Sequence, residues 1–286
     1  MRIMNDFEKK TKTKIIKESI TLYSGNVIPV YTITTANDLI QYVGYGKYIN
    51  YLNTNVFIRG QVDLYNGMLV PSLFRGKKNL NSAVSKFYER INSILSSEKS
   101  FSRFPKSVFE ATIQHYGIKT TQIDLVDNLW VALWFASNEF YGRIIDTNEH
   151  VFISPSKREY GYILLVACDA LTPSTSVKGL YEGGQTQVID LRKALPSYYL
   201  RPHSQHAYMM KGKNSLKYDY SDCIIGIAKI PICEIRKWIG CSELLSTSTL
   251  FPSAYFDSGY EVLLKNFPKW DSSIVRYQGS IQIISD

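Results

Sequence analysis

Between Ser107 and Ala136 the chain carries two helical patterns joined by a polar cluster, and no other stretch limits its fold so sharply. In Ser107–Tyr116, the residues Val108, Ala111, Ile113 and Tyr116 fall near one face at helical spacing, with Pro105 just ahead, so a helix is expected. Gly117 then stands where a helix ends in the left-handed conformation, which costs glycine almost nothing. A second helix is expected from Leu129 to Tyr141, with Asn128 as its N-cap. It is apolar on nearly every side, and such a helix is buried. Gln114, His115, Thr120 and Asp124 therefore lie at the mouth of a buried element, where each must find a hydrogen-bond partner or line a pocket. Two readings stay open on residue types alone: a hydrogen-bonded corner between helices, or a binding site.

Along the rest of the chain, Val27–Thr34 and Val56–Arg59 are β-branched and aromatic, hence strand-like. Ala36–Val43 and Asn79–Leu95 have helical spacing. Arg143–Ser156 is polar and turn-rich, and Gly161–Cys168 is a continuous apolar run short enough for a buried strand. Arg201–Met210 alternates, which predicts a strand with Gln205, Ala207 and Met209 on one face. Ile224–Ile230 reads as a strand, Pro231 opens a helix to Trp238, and Ser253–Lys265 is expected as a last helix. An early helical half followed by a strand-rich half predicts an α+β class rather than alternating α/β. Residues 1–20 read as a Lys-rich basic leader, either solvated or an arm for nucleic acid or a partner, and residues 21–286 as a single domain.

Hydrophobic residues make up 45% of the chain and aromatics 13%, enough for a real core. The net charge of +8 suits an anionic partner: nucleic acid, a dinucleotide or an acidic protein. No apolar run approaches the ~20 residues that span a bilayer, and the charged start has no signal-peptide pattern, so a cytoplasmic location is expected. Cys168, Cys223, Cys233 and Cys241 lack the spacing of a metal site, and His203 and His206 would point to opposite faces of a strand, so no metal is expected. There is no P-loop, GxGxxG, HExxH or Ser-His-Asp pattern.

Several stretches occur in order over roughly residues 50–265: Arg59-Gly60-Gln61, Val70 to Arg75, Gln114-His115-Tyr116-Gly117 with Thr120 and Asp124, and Asn128 to Ala136. Arg201, Gln205 and Ala207 follow, and then Thr249-Leu250-Phe251-Pro252. In this set the chain resembles the FRG-domain family, named for an aromatic-Arg-Gly motif. Ile58 stands in place of the aromatic, Lys119 of a proline, Thr121 of an arginine, Leu125 of a tryptophan and Ser253 of an aspartate.

The resemblance implies an ADP-ribosyltransferase-like fold, with a helical first half packed on a strand-rich second half and a split mixed sheet. It implies NAD as substrate and a nucleic acid, RNA or DNA, as target. A toxin or antiphage effector with a possible antitoxin partner follows from the same resemblance; a non-catalytic nucleotide- or nucleic-acid-binding module is the alternative, and a nuclease or glycosidase acting on nucleotides a third. Arg59 and Gln205 take the catalytic positions in chain order. Arg59, Gly60, Gln61, Gln114, His115, Tyr116, Thr120, Asp124 and Arg201 are the expected NAD-binding set.

The chemistry is coherent. A guanidinium grips pyrophosphate bidentately, and glycine lets backbone N–H groups approach a ligand. His115 and Tyr116 can stack on a base, and Asp124 can orient His115 or Arg59. Arg59 paired with Asp124 as a purely structural ion pair is the competing reading. An amide such as Gln205 holds a ribose hydroxyl but cannot act as a base. Glu182 and Glu261 are conceivable carboxylates, neither adopted, and Ser246-Thr247-Ser248 reads as a polar loop.

Overall fold

The computed structural model describes residues 1–52, 54–97, 99, 101–145, 148–214, 217–266 and 276–277. In chain order, β1 (Ile16–Thr21) and β2 (Val27–Thr32) form a hairpin that leads into α1 (Ala36–Ile49) and β3 (Thr54–Gln61). Then come α2 (Leu80–Ser97), α3 (Lys106–His115), β4 (Ile123–Val126), α4 (Leu129–Ser137), β5 (Asn138–Ile145) and β6 (Asn148–Pro155). Strands β7 (Tyr160–Asp169), β8 (Thr172–Pro173), β9 (Leu180–Glu182) and β10 (Thr186–Asp190) precede the short helices α5 (Leu191–Ala194) and α6 (Leu200–Ser204). The chain continues with β11 (Ala207–Gly212), β12 (Ile224–Pro231), α7 (Ile232–Ile239), α8 (Thr247–Leu250), α9 (Ser258–Asn266) and β13 (Arg276–Tyr277).

Among the described residues, ten strands form one mixed sheet in the order β1-β2-β12-β7-β3-β4-β11-β10-β9-β8, and β5, β6 and β13 form a second sheet. The α+β class holds. The expected division into a helical half and a strand-rich half does not, because β2 and β3 from early in the chain flank β12 and β7 from late in it. The run Gly161–Cys168 lies, as expected, at the sheet's centre. Ile163, Leu165 and Ala167 face one core with α1, α4 and α7, while Leu164, Val166 and Cys168 face the other. A strand buried on both sides needs no polar alternation, which is why this one reads as unbroken apolar sequence.

The sheet is nearly divided in the middle. Strand β3 pairs with β7 along its whole length, but meets β4 through the single pair Ile58↔Val126. From Arg59 onward the two strands part, and β4 continues beside β11.

Three local expectations are corrected. The helix predicted to reach Tyr141 stops at Ser137, where Ser137 Oγ donates to Leu133 O at 3.1 Å and Asn138 Nδ2 to Trp134 O at 2.8 Å. Side chains thus take up the last carbonyls, and Phe140 and Tyr141 join β5 in a hairpin with β6, across the stretch read as turns. The strand predicted over Arg201–Met210 begins only at Ala207; before it, α6 carries Pro202 in its first turn, where proline's fixed φ suits a helix. His206, at φ +52°, makes the break between them. The leader is not loose: Met4 and Phe7 are fully buried, Phe7 edge-on to Tyr31 and Tyr42 with ring centroids at 5.3 Å.

Candidate functional site

Where β3 and β4 part, a cleft of about 630 Å³ opens, walled by β3, β4, the end of α3, the start of β5 and the loop after α8. Arg59 spans the gap. Its Nη1 donates to the backbone oxygen of Asp124 at 2.6 Å and its Nε to Gln61 Oε1 at 3.3 Å. Asp124 does not pair its carboxylate with Arg59; the carboxylate accepts from Gln114 Nε2 at 2.6 Å instead. In place of the ion pair of the competing reading, Arg59 makes a backbone contact with Asp124. Burial pushes the Arg59 guanidinium below its ordinary range, with Asp124 and Tyr65 opposing the shift and the like charge of Arg75 adding to it. Arg75 shares the cleft, donating through Nε to Val70 O at 3.2 Å. Among the described residues, neither arginine has a carboxylate within ion-pair distance.

Helix α3 brings Gln114 and His115 to the cleft because it ends there. Gly117 takes φ +104°, and Ile118 N–H reaches back to Ile113 O at 3.1 Å, closing the helix as the sequence predicted. Gln114 is held from the other side by the Thr120 hydroxyl, which donates to its Oε1. His115 is 9% exposed, and its Nε2 is buried with no hydrogen-bond partner among the described residues. Burial pushes its pKa down to about 4; Asp124 opposes the shift and Arg201 reinforces it, so the ring is neutral at pH 7. An orphaned imidazole nitrogen beside a cleft is a candidate ligand contact.

Of the expected binding residues, Arg59, Gly60, Gln61, Gln114, His115, Asp124 and Gln205 line the cleft; Tyr116, Thr120 and Arg201 do not. Tyr116 is fully buried. Its hydroxyl donates to Asp257 Oδ2 at 2.7 Å, and its ring lies under the Arg201 guanidinium at 4.6 Å. Arg201 is equally buried, donating through Nη1 to His115 O at 2.9 Å, with Phe251 and Tyr260 also against its plane. These residues hold the end of α3 from behind and are not part of the cleft lining. Thr120 does the same for Gln114.

Gln205 sits at the end of α6 rather than on a strand. Its Nε2 donates to Leu250 O at 2.6 Å, which leaves Oε1 as its acceptor. Gly60 carries a packing role that the sequence reading missed. A Cβ there would stand 1.7 Å from Ala132 O of α4. The residue is small so that the helix can approach the strand.

The structure adds residues to the site. Tyr65, Arg75, Lys119, Glu139 and Arg158 all line the cleft. Glu139 brings a second carboxylate to the cleft beside Asp124. It accepts from the Tyr141 hydroxyl, from Ser156 Oγ at 2.8 Å and from Arg158 Nε at 3.1 Å. The Tyr141 bond, with Ser156 and Arg158, holds it below the usual carboxylate range against the opposing effect of burial. Glu182 and Glu261 lie outside the cleft lining. Ser246 caps α8, accepting from Thr249 N at 3.2 Å, so Ser246-Thr247-Ser248 begins a helical turn rather than a loop. Among the described residues, no group of three or more His, Cys, Asp or Glu side chains is arranged to hold a metal. No helix there is long and apolar enough to cross a membrane.

Compared with protein-family profiles, residues 54–141 match that of the FRG domain. This stretch is an FRG domain. It runs from the start of β3 into β5, and so contains Arg59, Arg75, His115, Asp124 and Glu139, while Gln205 and Phe251 reach the cleft from outside it. No curated protein and no solved structure matches the chain.

Proposed function

We propose that the cleft binds NAD and that the protein transfers ADP-ribose from it to a nucleic acid, RNA or DNA, on an ADP-ribosyltransferase-like scaffold. The observation that carries this reading is the pair Arg59 and Arg75, two guanidiniums in one cleft without a carboxylate partner. Partly burying like charges is costly unless an anion joins them, and a pyrophosphate matches the guanidinium fork. The cleft volume of about 630 Å³ falls in the range of small-ligand sites.

The chemistry asks little more. Breaking the nicotinamide–ribose bond leaves the electron pair on the nicotinamide nitrogen and positive charge on the ribose, as in glycoside cleavage. The ionised Glu139 carboxylate stabilises that charge. The Gln205 amide oxygen accepts from a ribose hydroxyl, and His115 in its neutral form donates or accepts one hydrogen bond without adding charge beside the arginines. An acceptor nucleophile then forms the new bond to the ribose carbon and gives up its proton to a carboxylate. The net charge of +8 favours a polyanionic acceptor. A cytoplasmic toxin or antiphage effector of this kind would need restraint in its host, and an acidic antitoxin is the fitting partner.

The test incubates purified protein with labelled NAD and separate pools of RNA, single-stranded DNA and protein, beside Arg59→Ala. Label on a nucleic-acid pool that disappears in the variant supports the reading. Absence of both label and free nicotinamide, from folded protein, refutes it and leaves a non-catalytic binding module.

A further inference from the structure

Among the residues lining the cleft, Tyr65 has a backbone that its side chain makes hard to hold. It takes φ +46°, and Asn66 and Gly67 continue the left-handed path at +57° and +72°. Glycine accepts such angles freely and asparagine tolerates them, but a bulky residue there is a genuine outlier that costs stability. The turn is locked from outside the tyrosine ring. Gly67 N–H donates to Leu64 O at 2.9 Å, and Tyr23 N–H donates to Gly67 O at 3.1 Å.

Packing does not explain the choice of tyrosine. The residue is 52% exposed. Among the described residues it makes no close ring contact with another aromatic, and its phenol has no hydrogen bond. What the ring does have is position: it lines the same cleft as Arg59 and Arg75. Phe140 and Tyr141 of β5, at 41% and 47% exposed, bring further aromatic surface to that cleft. A water-exposed aromatic held by a strained backbone beside anion-binding cations is the arrangement that stacks a nucleobase while its phosphates are gripped.

From this we infer that Tyr65 is the base-stacking residue of the cleft, taking the aromatic heterocycle at one end of the bound dinucleotide while Arg59 and Arg75 hold the pyrophosphate. The inference rests on the NAD-binding reading above and assigns the recognition within it. The same chemistry serves the adenine or the nicotinamide end, and AMP and nicotinamide mononucleotide tell them apart.

Tyr65→Gly removes the ring and the backbone strain together, so it separates a ligand role from a structural one. Binding of NAD, AMP, nicotinamide mononucleotide and pyrophosphate is measured by calorimetry on wild type, Tyr65→Gly, Tyr65→Phe and Arg59→Gln, with a melting curve for each. The expected result is a higher melting temperature for Tyr65→Gly, together with a loss of NAD affinity of about 5- to 150-fold. One mononucleotide weakens in parallel, pyrophosphate is unchanged and Tyr65→Phe binds as wild type. Arg59→Gln weakens every probe. NAD bound equally by Tyr65→Gly and wild type overturns the stacking role and leaves the NAD reading intact. A lowered melting temperature with unchanged affinity assigns the ring to structure instead. Wild-type protein that binds no probe overturns both.

Discussion

Replacing Gly60 with alanine tests whether the glycine of the Arg-Gly pair serves the ligand or the fold. The added Cβ would stand 1.7 Å from Ala132 O and 2.6 Å from its carbonyl carbon. A carbon–oxygen contact settles at about 3.3–3.6 Å, so α4 would have to retreat by roughly 1.6 Å. The atom in the way is backbone, so no rotamer change relieves the clash. Retreat also opens gaps around Val131, Leu133, Trp134 and Ala136, all buried against β3 and β7. Overpacking of this kind costs about 1–3 kcal/mol, and more when a helix must move. We expect about 3 kcal/mol, which lowers the melting temperature of a chain this size by roughly 6–12 °C. Thermal and urea denaturation of Gly60→Ala beside wild type measure it. A variant that melts within about 2 °C of wild type yet no longer binds NAD would refute the packing argument and return Gly60 to the ligand.

Two further outcomes follow from the buried groups near the cleft. His115 has a folded pKa of about 4 against about 6.5 in the unfolded chain. The unfolded state therefore binds more protons between those values, and stability is complete above pH 6.5 and falls as the pH drops toward 4, by up to about 3 kcal/mol. Urea titrations from pH 7.5 to 4 should show this slope in wild type and a flatter one in His115→Gln; equal slopes would remove the buried neutral imidazole from the account. Tyr116→Phe deletes the hydrogen bond to the buried Asp257 carboxylate and should cost about 1–3 kcal/mol. Its NAD affinity should match wild type, whereas a selective loss of affinity would put Tyr116 back in the site.

The chain is legible where periodicity or capping decides the conformation. The end of α3 at Gly117, the Asn128 cap, which accepts from Trp130 N at 2.9 Å, and the doubly buried β7 all follow from local rules. Misreadings occur where a few residues outweigh the pattern. Ser137 and Asn138 end α4 with side-chain hydrogen bonds that apolar spacing cannot signal, and this hid Glu139 inside an imagined helix. Pro202 and the left-handed His206 turn an alternating segment into a helix and a strand, moving Gln205 off the strand while leaving it at the cleft.

Gln114, His115 and Asp124 are legible at the cleft because a polar cluster before a buried helix has to be satisfied by something, whereas Arg59, on the separate strand-like run Val56–Arg59, is marked out by the family resemblance. Tyr116 and Arg201 lie behind the cleft lining, and in sequence a buried cation stacked on aromatic rings and a ligand-gripping arginine look alike. Arg75 closes the stretch Val70–Arg75, and nothing in its local spacing distinguishes a cleft arginine from a surface one. Arg158 and Glu139 come together only through β5 and the turn after β6, a pairing with no signature in residue spacing.

If Arg59 and Arg75 hold a dinucleotide pyrophosphate, the melting temperatures of wild type and Arg59→Gln with increasing NAD report it most directly. A ligand that binds the folded state alone stabilises it by about 2.7 kcal/mol at one hundred times its dissociation constant. The account predicts a rise of several degrees for wild type and none for Arg59→Gln, with the two melting alike in the absence of NAD to within a few degrees. A wild-type curve that NAD does not move, or an Arg59→Gln curve that moves as far, would contradict it.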